Sequence, residues 1–217
     1  MKFTGSTLTR LKASIRGREP HGLIPITKYI PPDLHLLGTK KLRDMPKASV
    51  FIPLVNRNGE ASVLFTLRTT TVGSHKGQVS FPGGRREDGE DAVQCAIREL
   101  LEEIGGDKDD IEILGSCQSL YSITNVLVTP VIGFLKRDIG DLSHFTPEPN
   151  EVERIFTYSL PTLNSEGFKT YQKLERNGKA ANFPTFGEVA VPEQRIWGLT
   201  GMILESVLNE IKEIDLD

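Results

Sequence analysis

The sequence has few of the features that define several large protein classes. Of 217 residues only Cys95 and Cys117 are cysteines, so neither a disulfide framework nor a C-x-x-C zinc site can form. No apolar run approaches the roughly 20 residues that a membrane-spanning helix requires. The formal net charge of -3 provides no basic excess for binding nucleic acid. We therefore expect an intracellular protein without a membrane span and without a nucleic-acid partner.

What is present is the composition of an ordinary globular protein. Hydrophobic residues make up 38% and charged residues 25% of the chain. Twenty glycines and thirteen prolines favour a loop-rich mixture of helices and strands over a helical bundle. A chain of this length can bury a full hydrophobic core within one domain. The composition thus predicts a single α/β domain.

The N-terminus differs in charge from the rest of the chain. Residues 1–19 hold five basic residues and one acidic residue, a local charge of +4, and Leu8, Leu11 and Ile15 recur at helical spacing. Such a stretch is typical of a mitochondrial presequence, and it also occurs as the first helix of a folded domain. Residues 1–30 are therefore predicted to be an N-terminal extension or a first helix. The presequence interpretation predicts mitochondria as the location, with peroxisome and cytoplasm as alternatives.

Apolar periodicity predicts several strands, with one helix in the middle of the chain and one at its end. Residues 49–55 and 61–68 are rich in β-formers and predict a hairpin with a four-residue turn at residues 56–59. Further strands are predicted at residues 78–81, 111–117, 127–135 and 152–158, and Pro130 favours a sheet edge or a bulge for the third of these. Helical periodicity marks residues 91–104 and 199–214. This order predicts an α/β sandwich with a mixed sheet.

Three glutamates on the first of these helices attract attention. At about 100° per residue, Glu99, Glu102 and Glu103 share the face turned away from the apolar stripe. Like charges at this spacing cost roughly 0.2 to 0.5 kcal/mol per pair, so a neutralising partner is expected. Mg²⁺ or Mn²⁺ suits such oxygen ligands and retains waters that a phosphate can replace. A solvated acidic face is the alternative for these three residues taken alone.

The segment before the helix strengthens the metal hypothesis. Gly83 and Gly84 form a loop in which the backbone can approach a ligand closely, and the Gly84 carbonyl could supply one more oxygen ligand. Arg98 could pair with Glu102 or Glu90 and hold the acidic cluster in place. Cys95 lies beside the carboxylates on the same helical wheel, but a lone cysteine among hard-metal ligands is more often a small filler.

These residues resemble a known motif. Gly84, five residues, Glu90, seven residues and then residues 98–105 (RELLEEIG) resemble the Nudix box, G-x5-E-x7-R-E-U-x-E-E-x-G-U, in which U is a bulky aliphatic residue. All seven fixed positions are occupied, and Gly106 stands where the last aliphatic residue is usual. The resemblance implies a Nudix-type α/β/α sandwich with a mixed β-sheet, a single Nudix hydrolase domain over residues 31–217, and Mg²⁺ or Mn²⁺ as cofactor.

The Nudix resemblance also implies roles for individual residues. It assigns metal binding to four positions: Glu99, Glu103, Glu102 and Gly84. It assigns the catalytic group, including the residues that orient the helix, to three positions: Glu102, Arg98 and Glu90. The implied reaction is attack of a metal-activated water on a phosphorus of a diphosphate. The general base stays open between Glu102 and a loop residue such as Glu151.

A second motif just upstream is similar to the signature of one Nudix branch. Residues 64–68 (LFTLR), Gly77 and residues 81–84 (FPGG) are similar to L-L-T-x-R-(S/A)-x3-R-x3-G-x3-F-P-G-G, found in coenzyme A diphosphatases. Further similarity at residues 128–131, 150–152 and 196–200 extends the resemblance over about residues 48–212. Thr69 replaces the usual Ser or Ala, and Gly73 replaces the second Arg. The resemblance assigns substrate binding to Arg68 and Gly83, and His75 and Lys76 lie close enough in sequence to supply positive charge in place of the missing Arg.

Together these motifs imply a metal-dependent diphosphatase with a small-molecule substrate, coenzyme A or acyl-CoA. The products would be 3',5'-ADP and (acyl-)4'-phosphopantetheine, and the enzyme would be a monomer or a homodimer. Two alternatives remain: hydrolysis of another nucleoside diphosphate derivative such as NADH or ADP-ribose, and a non-catalytic nucleotide-binding Nudix module. Trp197 and Phe186 could stack on an adenine, although aromatic residues at element ends are more often part of the core.

Overall fold

The computed structural model describes residues 1–18, 23–25, 45–70, 77–122, 124–176, 179–188 and 191–214. In this part of the chain the helices are α1 (Gly5–Gly17), α2 (Ala92–Ile104), α3 (Leu160–Asn164) and α4 (Gly198–Glu213). The strands are β1 (Leu23–Ile24), β2 (Lys47–Arg57), β3 (Glu60–Arg68), β4 (Val79–Ser80), β5 (Gly83–Arg85), β6 (Ile111–Cys117), β7 (Leu120–Tyr121), β8 (Leu127–Leu135), β9 (Val152–Ser159), β10 (Lys169–Arg176) and β11 (Lys179–Phe186).

Most of these strands join one mixed sheet. Its order is β1-β6-β8-β2-β3-β4, with β5 beside β2, β7 beside β8 and β9 beside β3. The β1/β6 and β2/β8 pairs are parallel, whereas β2/β3, β3/β9 and β6/β8 are antiparallel. Strands β10 and β11 form a separate antiparallel hairpin. The predicted mixed sheet is confirmed.

Helices cover both faces of the sheet. Successive residues of a strand point to opposite faces, so Phe51 packs in a cluster with Leu100 of α2. Its neighbour Ile52 packs in a second cluster that holds Ile15 of α1 and Leu204 of α4. Burial of both apolar layers drives the assembly of the three layers. The predicted α/β/α sandwich is confirmed.

The hairpin between β2 and β3 is tighter than predicted. The strands pair as far as Arg57 and Glu60, so the turn consists of Asn58 and Gly59. Both have positive φ, 52° and 76°, which Asn and Gly tolerate best. Their N–H groups donate to the Asp138 carboxylate at 2.8 and 2.7 Å. The four-residue turn predicted at residues 56–59 is wrong, because Asn56 and Arg57 continue the strand.

Strand β8 lies inside the sheet, so of the two positions predicted from Pro130, a sheet edge or a bulge, the edge is wrong. β2 flanks β8 on one side, and β6 and then β7 flank it on the other. Pro130 pairs with Val50, but it lies between the residues of β8 that pair with β6 and those that pair with β7. A missing N–H is tolerated at a gap in the ladder.

Helix α1 is packed into the fold. Thr4 caps it by accepting from the Thr7 N–H, and Leu11 and Ile15 are buried. Gly115 of β6 makes room for this helix, since a Cβ there would lie 2.6 Å from Ile15 Cγ2. The Arg18 guanidinium meets the buried Glu210 carboxylate of α4 at 2.6 Å. No helix in the described part of the chain combines the length and apolarity needed to cross a membrane.

Candidate active site

Helix α2 carries most of the predicted site residues, and local sequence fixes both its ends. Asp91 accepts hydrogen bonds from the Val93 and Gln94 N–H groups, and the Gln94 side chain accepts in return from the Asp91 N–H. This capping box starts the helix one residue after the predicted start. Gly105, at φ 71°, ends it. The predicted helix is confirmed, and its apolar side packs on the sheet.

Strand β5 places two glycines between the sheet and α2. A Cβ on Gly83 would lie 2.7 Å from the Val50 Cα, and a Cβ on Gly84 would collide with the Glu99 carboxylate. Gly83 therefore needs glycine for close approach to backbone, whereas a side chain at position 84 would have to displace the Glu99 carboxylate. The Gly83 N–H donates to Glu103 Oε1 at 3.3 Å. The glycine loop thus presses its backbone against the glutamates of the helix.

Arg98 holds the solvent side of the acidic cluster together. Its Nε donates to Glu90 Oε1 at 2.7 Å, and its Nη1 donates to Glu99 Oε1 at 2.8 Å and to Glu102 Oε2 at 2.9 Å. Its Nη2 donates to the Arg85 carbonyl at 3.0 Å. The hydrogen bond with Glu90 is the main cause of the raised pKa of Arg98. One guanidinium therefore donates hydrogen bonds to three carboxylates and also connects the helix to β5.

Glu90 is the carboxylate that Arg98 grips most closely. The hydrogen bond from Arg98, followed by the one from the Glu87 N–H, lowers the pKa of Glu90 to about 2. Glu90 also accepts from Arg98 Nη2 at 3.0 Å, so the pair is bidentate. This geometry suits a side chain that orients the helix.

Glu103 is buried, which contradicts the prediction that it faces away from the core. Its side chain is 1% exposed, and Arg68 Nη1 lies 3.6 Å from its Oε1. Glu103 Oε2 has no hydrogen-bond partner among the described residues. Burial is the main cause that raises the pKa of Glu103 to about 7. The helical wheel did not predict the burial of Glu103, because it treats only the apolar stripe as buried. In the structure, β5 and the end of β3 also cover this side of α2.

The three glutamates therefore differ in their surroundings. The side chain of Glu102 is 59% exposed, whereas that of Glu99 is 13% exposed. Burial is also the main cause that raises the pKa of Glu99. Among the residues that the structure describes, no three acidic, histidine or cysteine side chains converge on one point. Arg98 turns Glu99 and Glu102 toward itself, while Glu103 points toward Gly83 and Arg68.

The donor set nevertheless fits a hard divalent cation. The unpartnered Oε2 of Glu103 is a buried oxygen that needs a positive or hydrogen-bonding partner. Glu99 lies one helical turn away, beside the close backbone approach at Gly84. Carboxylate and carbonyl oxygens are what Mg²⁺ and Mn²⁺ prefer. Glu99 and Glu103 could hold such an ion after rotation of side chains now engaged with Arg98 and Arg68.

Cys95 has the surroundings of a structural residue. Its buried thiol donates to the Gly84 carbonyl at a sulfur-to-oxygen distance of 3.7 Å. Burial raises the pKa of Cys95, which disfavours the thiolate that metal binding needs. Cys95 therefore fills the space between α2 and β5.

The predicted substrate-binding residues are only partly described. Arg68 and Gly83 lie at the site, both within reach of Glu103. His75 and Lys76 fall outside the described residues, as does Gly73. One contact was missed from the sequence: Thr69 binds the loop between β8 and β9, since its N–H donates to the Glu151 carbonyl at 3.0 Å and its hydroxyl donates to the Asn150 carbonyl at 3.1 Å.

Glu151 lies close enough to matter electrostatically. Its charge is among the causes that raise the pKa of both Glu99 and Glu103. The loop is held to α2 by the Glu148 N–H, which donates to the Glu103 carbonyl at 2.8 Å. In the sequence, the only sign of the contact between Thr69 and this loop is that Thr69 replaces the usual Ser or Ala.

Comparison with known proteins agrees with this geometry. The family model described as NUDIX domain matches residues 45–174, which include β5, α2 and the loop with Glu151. The chain belongs to the Nudix family. Nudix hydrolase 3 of Caenorhabditis elegans is 34% identical over 183 residues, which cover 74% of this chain and 71% of the relative.

Two further relatives extend the comparison. The mitochondrial coenzyme A diphosphatase NUDT8 of Mus musculus is 34% identical over 177 residues, covering 79% of this chain and 81% of the relative. The uncharacterized Nudix hydrolase NudL of Photorhabdus laumondii is 29% identical over 175 residues, covering 80% and 89%. This Nudix protein is an enzyme that hydrolyses a diphosphate bond, in a family that generally requires divalent cations.

Proposed function

We propose that this Nudix hydrolase cleaves coenzyme A and acyl-CoA to 3',5'-ADP and (acyl-)4'-phosphopantetheine, using Mg²⁺ or Mn²⁺. The main support is that its two motifs form one site. Arg68 belongs to the segment similar to coenzyme A diphosphatases, and its guanidinium lies 3.6 Å from Glu103 of the Nudix box. The similarity to the mouse protein named as a coenzyme A diphosphatase supports the same substrate class.

In the proposed mechanism Glu99 and Glu103 would hold the cation, the Gly84 carbonyl would be a further oxygen ligand, and Glu102 would contact the waters of the ion. When bound, the ion supplies Lewis acidity toward the phosphoryl oxygens and lowers the pKa of the attacking water. Arg98 and Glu90 keep α2 in place against β5 through their bidentate pair. Arg68, whose guanidinium lies 3.6 Å from Glu103, would provide a positive charge for the diphosphate.

Glu102 is the proposed general base. It is the most exposed of the three glutamates, so a water molecule can reach it. Its contact with Arg98 at 2.9 Å positions the carboxylate near the other two. Glu151 on the neighbouring loop is the other candidate. Replacing each by glutamine separates them, because loss of the base lowers kcat far more than it raises KM.

The substrate assignment is tested by product analysis. The enzyme is incubated with Mg²⁺ or Mn²⁺ and equal concentrations of coenzyme A, NADH or ADP-ribose, and the products are identified by mass spectrometry. We expect 3',5'-ADP and 4'-phosphopantetheine, with the highest kcat/KM for coenzyme A or an acyl-CoA. The Glu103→Gln variant is the control for a contaminating hydrolase. Preferred cleavage of NADH or ADP-ribose would overturn the coenzyme A assignment.

We also propose a mitochondrial location, which the names of the mouse NUDT8 and the Arabidopsis thaliana Nudix hydrolase 15 support. Because α1 packs against β6 and α4, we expect the imported protein to retain this helix. Expression of the full chain with a C-terminal tag, followed by fractionation and N-terminal sequencing, tests both points. A cytosolic or peroxisomal tag would contradict the location, and cleavage beyond Arg18 would contradict the retained helix.

A further inference from the structure

Trp197 is an exposed aromatic residue whose position the fold does not explain. It is the only tryptophan in the chain, and 47% of it is exposed. Phe186, the other aromatic residue considered for stacking, is fully buried in the core. An exposed tryptophan leaves a large apolar ring in water, a feature typical of surfaces that bind a flat partner.

The backbone around Trp197 is fixed by its neighbour. Ile196 is buried and forms a two-way bridge with Phe186, with both N–H groups donating at 2.8 Å. Side chains of an extended segment alternate between its two sides. Arg195 and Trp197 therefore lie on the side opposite to Ile196. The ring is thus presented on a segment anchored in the core.

Arg195 provides a positive charge on the same side of this segment as Trp197. Its alkyl stem packs at Gly187, where a Cβ would lie 3.4 Å from Arg195 Cγ. Its Nε is buried and has no hydrogen-bond partner among the described residues. Nor does any carboxylate in the described part of the chain form an ion pair with Arg195. A cation without an acidic partner, on the same side of the segment as an exposed indole, suits a ligand that combines a flat ring with an anionic group.

This surface lies at the same end of the sheet as the candidate active site. The Thr200 hydroxyl, in the first turn of α4, donates to the Val79 carbonyl at 3.4 Å. Val79 pairs with Leu67, the residue before Arg68. Trp197 and Arg68 are therefore connected by one turn of α4, at about 5.4 Å, and one spacing between strands, at about 4.8 Å.

We propose that Trp197 stacks on the adenine of the substrate and that Arg195 binds the 3'-phosphate beside that adenine. The inference rests on the proposed function, because coenzyme A carries its diphosphate and its 3'-phosphate on the same adenosine. With the diphosphate at Glu99 and Glu103, the 3'-phosphate is the anion that remains near the base. Arg195 then supplies charge on the adenosine side of the site.

The single tryptophan allows a direct binding test without turnover. In EDTA, the fluorescence of the full chain is titrated with 3',5'-ADP and, separately, with 4'-phosphopantetheine. Stacking on adenine quenches indole fluorescence, so we expect quenching by 3',5'-ADP and none by 4'-phosphopantetheine. Calorimetry on the same samples measures binding independently. Bound 3',5'-ADP without a fluorescence change, or no binding of 3',5'-ADP, would overturn the proposal.

Kinetics test the two residues separately. Base-to-aromatic stacking contributes about 1–3 kcal/mol, so Trp197→Ala should raise KM for coenzyme A about tenfold, and Trp197→Phe should restore most of it. Arg195→Gln should raise KM for coenzyme A but not for dephospho-coenzyme A. The control is Tyr171→Ala, which removes an equally exposed aromatic on the β10/β11 hairpin and should leave KM unchanged. An unchanged KM in Trp197→Ala would overturn the stacking role.

Two outcomes distinguish this inference from the proposed function. If coenzyme A is the substrate and Trp197 does not respond, the inference alone fails. If ADP-ribose or NADH is preferred and 5'-AMP quenches Trp197, the adenine contact stands and the coenzyme A assignment fails. Fluorescence that depends on protein concentration and not on nucleotide would assign Trp197 to contact between two copies of the chain, which overturns the inference.

Discussion

The carboxylates on the two sides of helix α2 differ in their hydrogen-bond partners. On the solvent side, Arg98 hydrogen bonds to Glu90, Glu99 and Glu102, so each negative charge has a partner. On the buried side, Glu103 has one oxygen with no hydrogen-bond partner among the described residues. The hydrogen bonds of Arg98 therefore stabilise the helix, whereas Glu103 keeps one buried oxygen that a ligand could contact.

The largest effect is expected at Glu103. Glu103→Gln should lower kcat/KM by about 10²-fold or more, because the amide cannot replace an anionic metal ligand. The Gly83 N–H can still donate to the glutamine oxygen, so the fold should persist. Steady-state kinetics and circular dichroism check this. Near-normal turnover with Mg²⁺ would contradict the role of the buried side.

The solvent side should respond differently to Arg98→Lys. Lysine keeps the charge but cannot form the bidentate pair with Glu90 while also reaching Glu99 and Glu102. We expect activity to fall about tenfold and stability to fall by about 1–2 kcal/mol, since the pairs are partly exposed. Urea unfolding and kinetics on one protein preparation measure both effects. Lost activity with full stability would mean that Arg98 acts on the substrate rather than on the helix.

Gly84 connects the two sides. Gly84→Ala should displace the Glu99 carboxylate, because the new Cβ would collide with it. The carboxylate is the mobile end of a side chain, so the loss should be about 3- to 10-fold in activity with little change in stability. Gly17→Ala is the matched control, since a Cβ there meets nothing within 4 Å. Equal behaviour of the two variants would remove Gly84 from the site.

The last expected effect concerns stability without metal rather than activity. The pKa of Glu103 is about 7 in the folded protein against a reference value of 4.5, so its contribution to stability is present below pH 4.5 and is lost as the pH rises through 7. Relative to Glu103→Gln, the wild type in EDTA should lose about 3 kcal/mol between pH 4 and pH 8. Urea unfolding at both pH values measures the difference. A constant difference between the two proteins would show that Glu103 is not destabilised by burial.

The local parts of the fold could be predicted, because short-range rules govern them. The capping box at Asp91, the terminal glycine and the apolar stripe specify α2 without knowledge of the rest of the chain. The continuous runs of β-forming residues in β2 and β3 likewise specify buried strands. The sequence predicted that Arg98 pairs with Glu102 or Glu90, and the hydrogen bonds of Arg98 show that it pairs with both.

Features that depend on distant segments were not predictable. The burial of Glu103 depends on β5 and on Arg68, which approach α2 only in the folded chain. The interior position of Pro130 depends on where β6 gives way to β7. The exposure of Trp197 depends on the bridge between Ile196 and Phe186. A helical wheel or a propensity scale contains no information about such contacts.

We propose above all that Glu103 is a buried ligand of a divalent cation. Isothermal titration calorimetry with Mn²⁺ tests this most directly. Wild type, Glu103→Gln and Arg98→Lys are titrated without substrate at one pH. The account predicts that the wild type binds Mn²⁺, that Arg98→Lys retains most of the affinity, and that Glu103→Gln loses at least about tenfold. Undiminished Mn²⁺ affinity in Glu103→Gln would contradict it.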